Sequence, residues 1–145
     1  MLDEFLEHLE NLNPSAKALW GKMSAQHMVE HLILAVEMGN GKLKFDCINP
    51  RDKLPTLKKF LMSNRPMPKG FVNPVIGHDN LPLNYSSLAE TKNKLEEKIE
   101  DYYRFFEENP DAKPVNATFG ELSKNEWDHF HKKHITHHLE QFGLL

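Results

Sequence analysis

The stretch EWDHFHKKHITHHLEQFG, residues 126–143, carries five histidines between His129 and His138. Lys132, Lys133, Ile135 and Thr136 interrupt them, so the run is not an affinity tag. Its start is marked just upstream, in LSKNEW. Ser123 stands at an N-cap position, Glu126 three residues on can complete a capping box, and Leu122 with Trp127 can form a hydrophobic staple. Gly143 supplies a C′ residue. These signals predict a helix running to about Phe142, ~28 Å long at ~1.5 Å per residue.

Each helical residue advances about 100°, so side-chain directions can be compared. With His134 at zero, Trp127 lies at about +20°, Phe130 at about −40°, His138 at about +40° and Gln141 at about −20°. His134 and His138 thus share the apolar stripe, one turn apart. His131 and His137 fall on its margins at about ±60°, and His129 points nearly the opposite way. His129 and His131 are therefore expected to be solvated or at the rim.

A second helix repeats the arrangement. AQHMVEHLILA, residues 25–35, sets His27 and His31 at i and i+4, with Leu34, Ala35 and Met38 on the face of His31. That spacing brings Cβ atoms to about 5–6 Å, close enough to share one ion. Ser24 is a plausible N-cap, and GNG ends the helix after Met38. Its apolar residues run almost all the way round, which predicts a central position. A lone histidine in an apolar stripe is usually a hydrogen-bonded core residue. Two matched pairs are harder to satisfy that way, because each buried imidazole brings a donor and an acceptor. A metal ion would take one nitrogen of each, and the spacing favours that reading.

Two more helices are expected. One spans roughly Leu2 to Leu12, with Phe5, Leu6, Leu9 and Leu12 in a stripe, and Pro14 stops it. The other opens at SLAE with Ser87 at N-cap and Glu90 at N3, a second capping box. Its stripe continues through Leu95, Ile99, Tyr102 and Phe106 and ends before Pro110. Between the second and third long helices lie the residues 39–86, rich in proline, with one short helix expected over Leu54 to Met62 and irregular chain elsewhere. The segment NRPMPKGFVNPVIGHDNLPLN, residues 64–84, shows no alternation of strand length. The fold class is all-α: a four-helix bundle with a long Pro-rich crossover, residues 1–145 forming a single domain.

Composition narrows the function. A net charge of −3 without a basic run gives no reason to expect nucleic acid. The longest apolar run, Leu32 to Val36, cannot span a bilayer. The acidic, amphipathic MLDEFLEHLE is unlike a signal or transit peptide. One cysteine, Cys47, excludes an internal disulfide framework, and a cytoplasmic location is expected. Cys47 lacks the signature of a catalytic thiol and reads as a partly buried loop residue. HMVEH, residues 27–31, is not HExxH, since Glu30 directly precedes the second histidine, and neither a phosphate loop nor a nucleophile elbow occurs. The aromatics Trp127, Phe130, Tyr102, Tyr103 and Phe106 read as core.

MSAQHMVEHL (residues 23–32) followed by HITHHLEQFG (residues 134–143) resembles the DinB-like (DinB/YfiT) superfamily of four-helix-bundle metalloenzymes. FGELSKNEWDHFHKKHITHHLEQFG resembles the terminal motif of a branch of that superfamily catalogued as a domain of unknown function. The likeness covers the whole chain, strongest at 18–36 and 119–143 and weak through the Pro-rich middle. It implies a divalent metal, zinc or nickel, on three histidines: His31 from the second helix, His134 and His138 from the last. His27 does not match a ligand position and is assigned, with His137 and Gln141, to support of the ligands or to pocket lining. Relatives of known activity are thiol-dependent S-transferases and a thiol-dependent isomerase that use bacillithiol or mycothiol.

Three histidines leave a coordination position open, as catalytic sites do. The expectation is an S-transferase-type reaction between a low-molecular-weight thiol and a small electrophilic substrate. The alternatives are a hydrolase working through metal-activated water, and a non-catalytic metal-binding or stress-response bundle. Glu30, Glu126, His27 and His137 are the candidate acids and bases. A homodimer through a helix pair is expected by analogy with such bundles, and residues 64–86 are either a packed connector or a pocket lid.

Overall fold

Serines start the three long helices, and each does so through its side chain. Ser24 accepts from His27 N ahead of α2 (Ala25–Gly39), Ser87 from Glu90 N ahead of α4 (Leu88–Glu108), and Ser123 from Glu126 N ahead of α5 (Lys124–Gln141). The computed structural model describes residues 1–69 and 81–145. Within them the architecture is mostly helical, with two shorter helices, α1 (Asp3–Leu9) and α3 (Leu54–Met62), and a single 3-10 turn at Arg51–Lys53.

At α5 the capping box closes, Ser123 N donating to Glu126 Oε1 at 2.9 Å. At α4 it does not. Glu90 reaches one residue further back and accepts from Ser86 N at 3.0 Å and Ser86 Oγ at 2.6 Å, because a second serine offers two donors where Ser87 offers one. The end of α5 is a Schellman motif: Leu144 N donates to Leu139 O and Gly143 N to Glu140 O, with Gly143 at φ 68°. Helix α1 is shorter than its stripe. After Leu9 the amides of Glu10, Asn11 and Leu12 bond three residues back, so the last turn is wound tight, and Leu12 is still buried.

Helix α2 is central. Met28, Val29, Leu32, Ile33, Ala35, Val36 and Met38 are all buried, on almost every side of the helix. It packs against α4 and α5, while α1 lies on α4 and α5, and α3 on α5. Buried side chains from α1, α2, α4 and α5 form one apolar cluster. No helix among the described residues is long and apolar enough to cross a membrane.

A short antiparallel hairpin, β1 (Val115–Asn116) and β2 (Gly120–Glu121), lies between α4 and α5 in the otherwise helical architecture. Two residues per strand are too few for alternation to register. Its cause is the turn: Asn116 Oδ1 accepts from Thr118 N and Phe119 N. Ile48 N donates to Ala117 O, tying the crossover to this hairpin.

The Pro-rich stretch 64–86 falls partly outside the described residues, at 70–80. Both of its described flanks are held. Lys133 Nζ donates to Ser63 O and Arg65 O, and lies 4.8 Å from the Phe60 ring centroid. Glu30, buried, accepts from Asn84 N at 2.7 Å, Tyr85 N at 3.4 Å and Gln26 Nε2 at 3.0 Å. A buried carboxylate needs such donors, so Glu30 acts as a clasp on the crossover.

Gly39 lets α2 approach α5. A Cβ there would stand 2.8 Å from His131 Nε2 and 3.1 Å from Trp127 Cε3. Gly39→Ala gains helix propensity only at a helix end, so overpacking dominates. Equilibrium urea denaturation is expected to show a loss of about 1–3 kcal/mol.

Candidate metal centre

His31 projects from α2, and His134 and His138 from α5, into one place. His31 Nε2 is 2.8 Å from His134 Nε2, which is 3.1 Å from His138 Nε2. The three rings meet at steep angles with centroids 4.7–4.8 Å apart, so ring edges rather than faces converge. Donor atoms of all three lie within 4.8 Å of one another.

Burial keeps these imidazoles neutral. It lowers His31 to about 4, helped by His137, and His138 to about 3, helped by His31. His134 is held well below its ordinary value by burial and then by His138 and His31. Each ring therefore presents one N–H and one lone pair at neutral pH.

Gln141 decides which nitrogen of His138 carries the proton. Its Nε2 donates to Trp20 O at 2.9 Å, and that carbonyl can only accept. The amide is thereby oriented with Oε1 toward His138 Nδ1, 2.7 Å away. Nδ1 carries the hydrogen, and the Nε2 lone pair points at the cluster. His134 Nε2–H could then donate to His138, but it cannot donate to His31 as well. Protons alone do not satisfy the three nitrogens.

A cation between them does. Zinc at ~2.0–2.1 Å from tetrahedral nitrogens would set those nitrogens roughly 3.3–3.4 Å apart, a few tenths of an ångström beyond the spacings seen. The donor set fits a divalent metal. His31 Nδ1 and His134 Nδ1 are buried and bond nothing among the described residues, so Gln141 gives the one ligand-orienting contact there.

The other histidines separate. His27 Nδ1 sits 2.6 Å from Ser24 Oγ at the start of α2; it belongs to that cap and is not among the residues lining the cavity beside the triad. His137 does line that cavity, half-buried, edge-on to Trp20 with centroids 5.6 Å apart. Burial lowers its pKa. His129 is half-buried and outside the triad.

His131 overturns its expectation. It is 0% exposed, stacked on Trp127 at 5.3 Å and edge-on to Tyr102 at 4.8 Å. Its place on the stripe margin becomes interior because α4 closes that side and Gly39 offers no side chain. Of the candidate acids and bases on the helices, Glu126 is taken by its capping box and by Lys58 Nζ at 3.3 Å. Cys47 is a half-buried loop residue beside Asn49 O and Thr118 O.

A cavity of about 930 Å³ opens onto the triad. Phe130 faces it, whereas Trp127, Tyr102 and Phe106 belong to the core. The spacing arguments missed its remaining walls, such as Trp20, Phe45 and Phe119, which loops deliver and no periodicity marks. No protein-family model matches the chain, and no curated protein or solved structure does.

Two outcomes follow for this site. Gln141→Ala frees the His138 ring, and competition with a chromophoric chelator is expected to show ~10–100-fold weaker zinc binding. Acid should also destabilise the metal-free protein through His131, lowered by burial from 6.5 to about 3. Between those values the unfolded chain takes up a proton that the folded one refuses. Stability is unaffected by this group above pH 6.5 and falls below it by about 1.4 kcal/mol per pH unit. In urea titrations from pH 7 to pH 5, His131→Phe should flatten that slope by about one proton.

Proposed function

We propose that the chain is a DinB-like four-helix bundle, built from α1, α2, α4 and α5, and a metal-dependent enzyme with His31, His134 and His138 as ligands. The observation that carries this reading is the convergence of three neutral imidazoles, His134 and His138 buried and His31 half-buried, whose nitrogens no arrangement of protons satisfies. Zinc and nickel suit such a donor set. A divalent ion on three uncharged ligands keeps its full charge and an open position, and supplies a Lewis acid that lowers the pKa of a thiol or water.

The reaction proposed is S-transfer from a low-molecular-weight thiol to a small electrophile. The chain's own contribution is to hold and shield. His138, fixed by Gln141, aims its lone pair; His31 and His134 complete the face; apolar walls keep water away from the reacting atoms. Among the described residues lining the cavity there is no carboxylate, so a hydrolytic reaction would lack an Asp or Glu base there. A thiol held by the ion would lose its proton without a carboxylate base, so the thiol reading is compatible with this lining. His137 is the ring placed to pass that proton to solvent.

Metal analysis of untagged protein tests the site. About one equivalent per chain is expected, lost in His31→Ala, His134→Ala and His138→Ala and retained in His27→Ala. Thiol-dependent consumption of 1-chloro-2,4-dinitrobenzene should fall at least ~100-fold in each ligand variant and on chelation. A metal-loaded protein with no thiol dependence on any electrophile would overturn the transferase reading, and metal retained in all three variants would overturn the ligand set.

A further inference from the structure

Much of the wall of the cavity over the triad is apolar. Leu34, Met38, Phe45, Leu57, Phe60 and Phe119 belong to that part. At about 930 Å³ the chamber is at the upper end of the roughly 300–1,000 Å³ typical of small-molecule sites. Such walls reward an apolar body far larger than a simple electrophile.

Among the described lining residues the charge is one-sided. The Lys and Arg side chains lining the cavity are Lys22 and Arg65, and no Asp or Glu is among the described lining residues. Composition does not supply this bias, since acidic residues outnumber basic ones in the chain, 21 to 18. Both cations are exposed, which places them at the mouth rather than in the chamber. A third joins them: Lys69 Nζ lies 4.6 Å over the ring of Trp20, itself a wall residue. The backbone of Arg65 is tethered, its carbonyl being one of the two that accept from Lys133 Nζ.

We propose that the cavity takes an amphipathic carboxylic acid, its apolar body in the chamber and its carboxylate at Arg65 and Lys69. This names the substrate class of the site and rests on reading the cavity as the chamber that serves the metal centre. The apolar body supplies the affinity. The head sets the direction, because an exposed ion pair is worth only a few-fold each but a carboxylate pushed among phenylalanines without partners is strongly disfavoured. With the head at the mouth, a carbon further down the body, and not the carboxylate, reaches the triad.

The test is displacement of the uncharged dye N-phenyl-naphthylamine from the full-length protein by decanoate, decan-1-ol and decylamine. Decanoate is expected to displace the dye about tenfold better than decan-1-ol at low salt, the scale of two rim ion pairs, with decylamine weakest. Salt should shrink the advantage. Combining Arg65→Glu with Lys69→Glu should bring it below about threefold, with decan-1-ol and metal content unchanged. Equal displacement by acid and alcohol, or an advantage intact in that double variant, would overturn the proposal. The same titration in His134→Ala separates the two readings. An advantage kept there supports the head at the mouth whether or not metal is bound, whereas an advantage lost there but kept in the double variant would place the carboxylate on the metal, overturning the proposal while leaving the metal reading standing.

Discussion

The contact between α2 and α5 is the constraint on which the rest depends. Three imidazoles meet there, with His134 Nε2 2.8 Å from His31 Nε2 and 3.1 Å from His138 Nε2, in a setting that keeps them uncharged. Neutral rings crowded in this way leave donors or acceptors unmatched, which costs stability in a metal-free fold. The surroundings absorb that cost through packing. Trp127 and Leu139 are fully buried on α5, and Met28, Val29 and Leu32 on α2. A divalent ion bound between the rings would return the cost as folding stability, since the unfolded chain holds no preformed site.

The remaining elements hold that contact in register. Gly39 lets the end of α2 come close to His131, and Gln141 ties α5 to the loop before α2 through Trp20. Leu19 N donates to Gln141 O at 2.7 Å on the same seam, so one residue is bonded through both backbone and side chain. Glu30 and Lys133 hold the two described flanks of the crossover. Each is a charged group whose partners are largely backbone groups.

Much of this was legible in the residues. Ser24, Ser87 and Ser123 announced the starts of the long helices, because a side-chain oxygen at N-cap is a local device that needs no tertiary partner. The Leu54–Met62 helix was readable for a similar reason, with Pro55 in its first turn. The inward turn of His134 and His138 followed from helical angles alone. His131 was misjudged because an angle gives direction, not what lies in that direction. Gly39 and Tyr102, 92 and 29 residues away in the chain, close over it.

The sequence by itself determined where the helices begin, which of their faces are apolar, and that two pairs of histidines stand one turn apart; these are consequences of local hydrogen bonding and a fixed rotation per residue. Only the tertiary structure decided that His31 and not His27 joins His134 and His138, since that depends on which side of α2 meets α5 and on Ser24 engaging His27 at the helix start. It alone assembled the cavity, drawing Trp20, Arg65 and Phe119 from separate loops that no period connects. Helices are written in the chain because their contacts span a few residues. A chamber is not, because its walls meet only after the chain has folded.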